Sequence, residues 1–497
     1  MSRYAVSKAL SEAFNFVAGK RIKPQSTYHF TVYEPATGGT LCYCNASSAA
    51  DVDDAVQTAK MAFPQWSQLS SFDRGKVLRR AASLIRENLD DIAYWEVRDN
   101  GKPIYEAKID IDGCADTFDY YAGITPAFNG EHIALSGGEN FAYTRREPLG
   151  VCGGIGAWNY PFQTASWKIA PALACGNTFV YKPSPLAPIT AVILAEILTA
   201  AGVPPGGINI VQGEAATGEA LCVNPDVAKV SFTGSVATGQ KIMQLCATRG
   251  LKPVTLELGG KSPLIIFSDA NLDNAVTGAL LANFFTQGEV CNNASRVFVH
   301  DSLLDSFVEK LVARTKALKV GNPRDDQTRV GASISEEHMQ RVLGYIDSAR
   351  KQGAKVVCGG ERVSPTALEN GYYLSPCVIT DVTDDMTVAI EEIFGAVLLV
   401  LPFKDEAEVV KRANNTTYGL AAGLFSNDIA RAHRVAAQLQ AGVIYINSYN
   451  DMAVEVPFGG YKMSGFGREN GSAALHSYSQ LKSVFVNQTS KLESPFD

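Results

Sequence analysis

The chain has 497 residues, of which 46% are hydrophobic and 19% are charged. One core stops growing below this length, so we expect two or three domains of ordinary globular composition. The net charge of -7 gives no attractive field for nucleic acid or anionic lipid, and no uncharged apolar run is long enough to span a membrane. We therefore expect neither a nucleic-acid partner nor a membrane partner.

The first 24 residues are basic. They hold one acid, Glu12, against five basic residues, which are Arg3, Lys8, Lys20, Arg21 and Lys23. This composition faintly resembles a transit peptide, whereas the apolar core of a secretory signal is missing. We predict a cytosolic protein, with the mitochondrial matrix as the less favoured compartment.

Between residues 150 and 270, short β-rich runs alternate with helical patterns. The runs are "GVCGGIGAW", "TFVYKP", "NIVQG", "KVSFTG", "PVTLEL" and "SPLIIFS". Continuous apolar strands of this kind predict a parallel sheet covered by helices on both faces. The intervening stretch "APITAVILAEILTAAG" (187–202) has helical periodicity and ends at a glycine, as helices often do.

From residue 271 the alternation restarts with the predicted helix "NLDNAVTGALLANFFTQG", the strand "SRVFVH" and the helix "LLDSFVEKLVARTKAL". Later runs "KVVCGG", "AVLLVLPF" and "GVIYIN" indicate a second α/β layer. We predict two α/β domains with a seam near residues 259 to 270. Two further segments, 129–148 and 479–488, alternate like antiparallel strands and form either an arm that contacts another subunit or an ordinary edge hairpin.

The ten cysteines are scattered, without a CxxC pair or a Cys/His cluster. They are Cys42, Cys44, Cys114, Cys152, Cys175, Cys222, Cys246, Cys291, Cys358 and Cys377. In a cytosolic chain most of them should be reduced thiols, and a structural zinc site is not expected. Taken singly, each is most simply a small buried hydrophobe.

Two residues are candidates for chemistry. Cys291 lies in "FFTQGEVCNNASR"; a thiolate attacks carbonyl carbon well, and backbone amides in an irregular turn stabilise an oxyanion. No histidine flanks it, so the sequence near Cys291 does not support a cysteine protease.

Glu257 lies in the apolar strand "VTLELGGKSP", where burial would raise its pKa into the range of a general base. The alternation of "TLEL" also permits a solvated glutamate.

Two other stretches could bind a nucleotide. "VSFTGSVATGQK" (230–241) predicts a strand, a glycine turn and a helix beginning near Ser235, whose exposed amides suit phosphate. It is not a Walker A loop, because Gln240 stands where the lysine is needed. "FVYKPSP" (179–185) places Lys182 at the carboxyl end of a predicted parallel strand, where α/β sheets bind ligands. Taken alone, a plain βα turn and an exposed lysine are the simpler interpretations.

Taken together and in order, these stretches resemble the aldehyde dehydrogenase superfamily. The matching segments are "YEPATG" (33–38), "REPLGVCGGIGAWNYPF", "KPSP", "FTGSVATG", "LELGGKSP", "QGEVC", "EEIFG" (391–395) and "PFGGYKMSGFGRENG" (457–471). The resemblance implies an α/β fold with a Rossmann-like cofactor domain, an α/β catalytic domain and a small β oligomerisation domain. It places the NAD-binding domain at 1–127 and 149–259, the catalytic domain at 260–460, and the oligomerisation segments at 128–148 and 478–497. A homotetramer, built as a dimer of dimers, is the assembly that it implies.

The resemblance also implies a reaction. It makes Cys291 the nucleophile, Glu257 the base and Asn159 the side-chain donor to the oxyanion, beside the backbone amide of Cys291. Cys291 would add to an aldehyde, hydride would pass to a nicotinamide, and water activated by Glu257 would hydrolyse the thioester. Relatives that pass the acyl group to coenzyme A typically lack this glutamate, so its presence favours hydrolysis to a carboxylic acid. No metal site is predicted.

The residues that the resemblance assigns to the cofactor are Trp158, Lys182, Ser184, Gly234, Ser235, Gly239, Leu258, Glu392 and Phe394. Lys182 would contact the adenosine ribose, Gly234 and Ser235 the diphosphate, and Glu392 with Phe394 the nicotinamide ribose. Many relatives carry a glutamate three residues after the lysine, whereas this chain has Pro185. Loss of that acid removes an electrostatic barrier to a 2'-phosphate, so we predict NAD, with NADP as the alternative.

Within the superfamily, "DIDGCADTFDYYAG", "YTRREPLGVC" and "AWNYPFQTASWK" are most similar to the branch that oxidises 4-trimethylaminobutyraldehyde, betaine aldehyde and other aminoaldehydes. That likeness would place the chain in carnitine biosynthesis. Four aromatic residues at pocket positions of the family could cage a quaternary ammonium: Tyr160, Trp167, Phe285 and Phe458. Asp110 would add a carboxylate at the channel mouth. Gly113 stands where many members of this branch have a second acid.

Two alternatives remain at this point. The aromatic residues could form a generic apolar pocket, with Asp110 and Asp112 on a solvated helix face, in a broad-specificity aliphatic or aromatic aldehyde dehydrogenase. The fold is also sometimes kept by a structural or binding protein that has lost its chemistry. The second alternative is disfavoured, because Cys291, Glu257 and Asn159 are all present.

Overall fold

The computed structural model describes residues 6, 12–136, 140–489, 491, 492 and 494–496, so the predicted N-terminal basic residues Arg3 and Lys8 lie outside the described part. The strands are β1 Glu12–Ala13, β2 Asn15–Val17, β3 Lys20–Ile22, β4 His29–Glu34, β5 Gly39–Asn45, β6 His132–Ala134, β7 Asn140–Pro148, β8 Val151–Ile155, β9 Thr178–Lys182, β10 Ile208–Ile210, β11 Val227–Thr233, β12 Val254–Glu257, β13 Pro263–Ile266, β14 Arg296–His300, β15 Lys355–Cys358, β16 Arg362–Val363, β17 Tyr373–Leu374, β18 Cys377–Thr380, β19 Val397–Phe403, β20 Ala421–Phe425, β21 Val443–Ile446, β22 Gly465–Phe466 and β23 Ser479–Asn487.

The helices are α1 Ala49–Ser67, α2 Ser71–Glu87, α3 Leu89–Asn100, α4 Ile104–Ile124, α5 Pro161–Ala174, α6 Ile189–Ala201, α7 Ala215–Val223, α8 Val236–Thr248, α9 Leu272–Phe284, α10 Leu304–Lys316, α11 Glu336–Lys351, α12 Thr387–Ile390, α13 Glu406–Asn414, α14 Ile429–Ala436 and α15 Ala473–Ser477. Short 3-10 turns lie at Thr125–Ala127, Phe285–Gly288, Asp301–Leu303 and Lys462–Ser464. In the described part of the chain, no helix combines the length and the apolar character needed to cross a bilayer.

The first large sheet has the strand order β22-β12-β11-β8-β9-β10-β2-β3, and its five central strands are parallel. The chain order reverses between β8 and β11, so the sheet is doubly wound and has a crevice at the carboxyl ends of those strands. Helices cover both faces: Phe179 and Tyr181 of β9 pack in one core and Val180 in the other. Two buried faces explain why these strands read as unbroken apolar runs.

The second large sheet has the order β15-β18-β19-β14-β13-β20-β21, with only the edge strand β15 antiparallel. Here too, Ile265 of β13 packs on one face and Leu264 with Ile266 on the other. The predicted helices and strands of both halves are confirmed. For example, α6 ends at Gly202, whose φ of 122° only glycine adopts readily. The predicted α/β fold class is confirmed.

The two segments with antiparallel alternation form a separate sheet of their own, in the order β23-β7-β6. Asn140–Pro148 and Ser479–Asn487 pair along their whole length. Leu481 and Phe485 on β23 are 57% and 74% exposed, respectively. Their strand character is thus confirmed, whereas a contact with another subunit stays a prediction.

The chain passes from the first sheet to the second between β12 and β13, and returns at β22, which pairs antiparallel with β12. Ser464 joins the two passages: its carbonyl accepts from the amide of Leu258 at 3.0 Å, and its hydroxyl donates to the carbonyl of Gly259 at 2.7 Å. The two crossings therefore lie side by side, at the end of the strand that carries Glu257.

Candidate active site

A cavity of about 920 Å³ opens at the junction between the two sheets. All three residues predicted for the reaction line it, and so do the five predicted for the substrate and one predicted for the cofactor: Asn159, Glu257, Cys291, Asp110, Tyr160, Trp167, Phe285, Phe458 and Leu258. These residues come from segments up to about 350 positions apart, which the fold brings to one place.

Cys291 lies between the 3-10 turn at 285–288 and β14, with its side chain only partly exposed. It packs against Trp167, Leu420 and Phe458. Burial raises the pKa of the thiol to about 12, and the charges of nearby glutamates add to the rise. The resting sulfur is therefore protonated, and activation must lower this pKa or remove the proton.

The segment before Cys291 has an uncommon backbone conformation. Thr286 and Gln287 have φ of 47° and 43°, in the left-handed region that non-glycine residues rarely occupy. Gly288 follows with φ of 78°, and a Cβ there would lie 2.2 Å from the carbonyl carbon of Gly395. We call residues 285–291 the nucleophile loop. It meets the 391–396 loop so closely that only glycine fits between them.

Asn159 follows β8 at the crevice of the first sheet and is 5% exposed. Its side-chain nitrogen donates to the backbone carbonyl of Glu289 at 2.8 Å. The backbone carbonyl of Asn159 accepts from the side-chain nitrogen of Asn100 at 2.6 Å. An amide nitrogen carries two protons, so one remains for an oxygen in the cavity. The bond to Glu289 fixes the amide two residues before Cys291 along the nucleophile loop.

Glu257 ends β12 and is 4% exposed. Neither of its carboxyl oxygens has a hydrogen-bond partner among the described residues. Burial holds the pKa of Glu257 well above its usual value, and the charge of Glu469 raises it further. A Cβ on Gly459 would lie 2.7 Å from a Glu257 oxygen, so this carboxyl group has glycine as its neighbour on one side.

The four aromatic residues predicted for the cage line the cavity, but they differ in what else they contact. Trp167 and Phe458 lie 5.4 Å apart between ring centroids. The hydroxyl of Tyr160 bonds to that of Thr286 at 2.8 Å. The ammonium of Lys102 lies 3.7 Å from the centre of the Tyr160 ring, so an internal cation already occupies one face of this ring.

The prediction for Asp110 needs a correction. Asp110 lines the cavity, but it is 8% exposed and forms an ion pair with the fully buried Lys102, so it is not an open carboxylate at the mouth. Periodicity placed Asp110 on a helix face without revealing its partner. The ammonium of Lys102 compensates the charge of Asp110, so little of that charge is available to a ligand.

Other acids surround the mouth instead. Asp112, Asp116 and Asp119 of α4 share the single guanidinium of Arg86, at 3.4, 2.5 and 2.6 Å. With Asp110, Glu257, Asp451 and Glu455, seven carboxylates line the cavity, whereas no Lys, Arg or His is among the described residues that line it. The excess of negative charge at the mouth comes from the other five, because Lys102 compensates Asp110 and burial favours the protonated form of Glu257.

Residues predicted for the cofactor surround the crevice of the first sheet. Lys182 leaves β9 buried, with its ammonium donating to the carbonyls of Pro183 and Gly213 at 2.8 and 2.7 Å. Ser184 follows in the next turn and is also buried. Gly234 and Ser235 follow β11, and Ser235 caps α8. Lys182 keeps one proton for a ligand, and Ser235 at the start of α8 is exposed, which leaves the helix N-terminus accessible to a diphosphate.

Gly239 of α8 packs on Leu258, since a Cβ there would lie 2.9 Å from the leucine side chain. Small residues thus let this helix approach the end of β12. Together with the crevice position and the spare proton on Lys182, the site fits a dinucleotide. In the described part of the chain, no group of three or more His, Cys, Asp or Glu side chains is arranged to hold a metal ion.

The remaining residues predicted for the cofactor lie where the two halves meet. The carboxylate of Glu392 accepts from the amide of Gly260 at 2.9 Å. The rings of Trp158 and Phe394 lie 5.2 Å apart, and the ring of His338 lies 5.1 Å from Trp158. The Nε2 of His338 donates to the Phe394 carbonyl at 2.7 Å. The 391–396 loop is thus bound to α11 through His338, a residue that sequence reasoning missed.

Several other buried charged residues of the site were also missed. Lys168 and Glu469 form an ion pair of 2.6 Å that contributes to the environment of Glu257. Glu289 accepts from the amide of Ile334 and the side chain of Gln287, both at 3.0 Å. Glu106 binds the nucleophile loop. A buried acid on an amphipathic helix has the same spacing as an exposed one, so periodicity held no signal for it.

Comparisons with known proteins agree with this geometry. The family model described as the aldehyde dehydrogenase family matches residues 22–484. The chain is 59% identical to 4-trimethylaminobutyraldehyde dehydrogenase A of Danio rerio, covering 96% of this chain and 94% of the relative. It is 56% identical to 4-trimethylaminobutyraldehyde dehydrogenase of Homo sapiens, covering 98% and 99%.

Two solved structures show the same fold. An aldehyde dehydrogenase from Bacillus cereus in complex with NAD+ is 42% identical, with a TM-score of 0.92 over 96% of each chain. Betaine aldehyde dehydrogenase from Staphylococcus aureus, also in complex with NAD+, is 36% identical, with a TM-score of 0.94 over 98% of this chain and 97% of that one. The chain therefore belongs to the aldehyde dehydrogenase family.

Proposed function

We propose that the chain oxidises cationic aldehydes to carboxylic acids with NAD, and that 4-trimethylaminobutyraldehyde, betaine aldehyde or another aminoaldehyde is its substrate. One observation carries the choice of substrate: besides the compensated Asp110 and the buried Glu257, five carboxylates line the cavity that holds Cys291, and no basic side chain lines it among the described residues. The names of the Danio rerio and Homo sapiens relatives support the same class. The reaction itself follows from three residues.

Cys291 is the nucleophile. After its thiol has given a proton to solvent water, the sulfur adds to the carbonyl carbon of the aldehyde and forms the oxyanion of a tetrahedral thiohemiacetal. The second proton of the Asn159 amide and the backbone amide of Cys291 stabilise the oxyanion. The cofactor, when bound, supplies the acceptor for the hydride. A thioester on Cys291 remains.

Glu257 completes the turnover. Glu257 first loses to solvent the proton that burial favours. Its carboxylate then takes a proton from a water molecule, the hydroxide attacks the thioester carbonyl, and the proton passes to the sulfur as the C–S bond breaks. The products are a carboxylic acid and the Cys291 thiol. A carboxyl group without hydrogen-bond partners suits this role, because no described residue competes with water for its oxygens.

The acids at the mouth act at longer range. Asp112, Asp116 and Asp119 share one arginine, so two of their three charges remain uncompensated. They attract a cationic aldehyde, which the rings of Trp167 and Phe458 then hold beside Cys291. Asp110 contributes little charge to this recognition, because Lys102 neutralises it.

The finer features of the proposal are as follows. NAD is the preferred cofactor, with NADP admitted because Pro185 leaves no acid to repel a 2'-phosphate. The protein works in the cytosol as a homotetramer, a dimer of dimers joined through β6, β7 and β23. With 4-trimethylaminobutyraldehyde as substrate, it would act in carnitine biosynthesis.

The test compares 4-trimethylaminobutyraldehyde with 5,5-dimethylhexanal, which has a quaternary carbon in place of the nitrogen and the same shape. Absorbance of the reduced nicotinamide gives kcat/KM for each. We expect a preference of at least about tenfold for the cationic aldehyde. Equal values would leave a generic apolar pocket and favour a broad-specificity aldehyde dehydrogenase.

Two variants sharpen the comparison. D116N/D119N should lower kcat/KM for the cationic aldehyde about tenfold at low salt and leave that of 5,5-dimethylhexanal unchanged. D273N, which removes an exposed acid paired with Lys310 away from the mouth, is the matched control. Gly113 lines the cavity, and a Cβ there would have no atom within 4 Å, so G113D adds an acid without a clash at that atom and should increase the preference.

A further inference from the structure

The left-handed residues of the nucleophile loop need a partner that holds them. Thr286 and Gln287 each adopt a conformation that L-residues avoid, and such conformations persist only where surrounding contacts over-determine them. Gln287 is held from within the loop, by Glu289 at 3.0 Å. Thr286 is held from outside the loop, and its main partner plays no part in the reaction described above.

That partner is Glu106 of α4, which is fully buried. One carboxyl oxygen of Glu106 accepts from the backbone amide of Thr286 at 2.8 Å and from its hydroxyl at 3.1 Å. The other oxygen accepts from the hydroxyl of Tyr105 at 2.7 Å. Three donors therefore converge on one side chain, which lies 180 positions before the threonine that it binds.

The Thr286 hydroxyl also bonds to the hydroxyl of Tyr160 at 2.8 Å. Glu106, Thr286 and Tyr160 are thus linked in a row that connects α4 with the nucleophile loop and with a ring that lines the cavity. The helix that carries Glu106 also carries Asp112, Asp116 and Asp119 at the mouth. One helix therefore contacts both the loop before the sulfur and the entrance for the aldehyde.

We propose that Glu106 is a positioning residue, which holds the nucleophile loop in its left-handed conformation. It thereby fixes the positions of Cys291 and Tyr160 relative to an aldehyde that enters past α4. The inference rests on the proposed function in making Cys291 the nucleophile. Glu106 touches neither the substrate nor the cofactor, and it acts through Thr286.

The contacts require an acceptor rather than a charge. Burial raises the pKa of Glu106 to about 8, so the group has no strong need to be ionised. A glutamine has the same shape, its amide oxygen can accept both bonds from Thr286, and its nitrogen can donate to the hydroxyl of Tyr105. Glu106→Gln should therefore preserve the loop, whereas Glu106→Ala leaves the buried amide of Thr286 without an acceptor.

The experiment measures kcat, KM for the aldehyde and affinity for NAD in E106A, E106Q and Y105F. A displacement of the nucleophile by about 1 Å costs about 100-fold, and we expect a fall in kcat of this size in E106A with NAD affinity within about twofold of the native value. E106Q should recover kcat to within about threefold. Y105F is the matched control, because it removes one bond to Glu106 and leaves both bonds to Thr286 in place.

Native-like kcat in E106A would overturn the proposal. So would an E106Q variant as impaired as E106A, because a proton or charge rather than an acceptor would then be required. Should E106A fail to fold, T286A and T286S replace it: T286S keeps the hydroxyl and should retain kcat, T286A should lose about tenfold, and equal values would contradict the proposal. C291A tests the nucleophile itself, so an active C291A would refute the proposed function whatever the Glu106 variants do.

Discussion

Cys291 holds a proton in the resting site, because burial raises the pKa of its thiol to about 12, and burial also holds the pKa of Glu257 well above its usual value. A thiolate waiting beside a carboxylate would repel it, and two buried charges without partners would be costly. Burial therefore disfavours the charged forms of both the nucleophile and the base. Each group must be without its proton before it can act.

This protonation predicts how Cys291 responds to pH. The thiol pKa is raised to about 12, so the thiolate fraction should rise about tenfold per pH unit through neutral and mildly alkaline pH. We expect the rate of alkylation by iodoacetamide in the free enzyme, followed at Cys291 by mass spectrometry, to climb from pH 7 to about pH 10 without levelling. A small thiol treated in parallel should level off near its own pKa. A plateau for Cys291 below about pH 9 would contradict the prediction.

The two residues should fail in different ways when they are replaced. C291A removes the atom that adds to the aldehyde, so oxidation should be lost while NAD still binds. E257Q keeps the size of the side chain but cannot take a proton from water, so hydride transfer should occur once and the thioester should accumulate. Rapid mixing should show a burst of reduced cofactor in E257Q only. Steady turnover in either variant would contradict the assigned role.

Elements were easier to predict than the contacts between them. Strand β9 could be predicted because burial on both faces produces a continuous apolar run, and helix α6 because a glycine follows its last turn. The ion pair of Asp110 with Lys102, eight residues earlier, could not be predicted. Helix α4 begins between the two residues, so the distance between their side chains depends on where the helix starts. The contact of Glu106 with Thr286 joins different halves of the fold, and no local pattern records it. Asn159, Glu257 and Cys291 were predicted to act in one site because of the resemblance to a family, and periodicity alone gave no sign of it.

The turn between β9 and α6 should decide the choice between NAD and NADP. Pro185 lies half-buried in this turn, three residues after Lys182. An acid there would repel a 2'-phosphate and could accept from the ribose hydroxyls, so P185E should raise the ratio of kcat/KM for NAD over NADP by about tenfold. P185Q, which has the same length without the charge, is the control. A ratio that stays the same in P185E would place the discrimination elsewhere.

For the whole molecule, the sheet of β6, β7 and β23 is the surface best suited to meet a second copy. It pairs along nine residue positions and exposes the apolar side chains of Leu481 and Phe485. Large exposed apolar side chains on a strand are unusual in a monomer, which normally carries charges there. The same surface joins subunits in the assembly that we propose.

Charge on this strand should therefore weaken the assembly. L481K/F485K should shift the mass measured by sedimentation from the tetramer to a smaller species at micromolar concentration, because both substitutions would bury an ammonium in the interface. Q480K, on the opposite face of β23, should leave the mass unchanged. A tetramer that survives L481K/F485K would place the interface elsewhere.

The paired crossings at β12 and β22 also explain how the proposed base is held in place. Glu257 ends β12 directly opposite Gly465, so its backbone is fixed by the strand pairing that joins the two crossings. Its carboxyl oxygens have no hydrogen-bond partner among the described residues. The position of this carboxyl group therefore comes from backbone pairing at the junction of the two halves, which leaves both of its oxygens available to water.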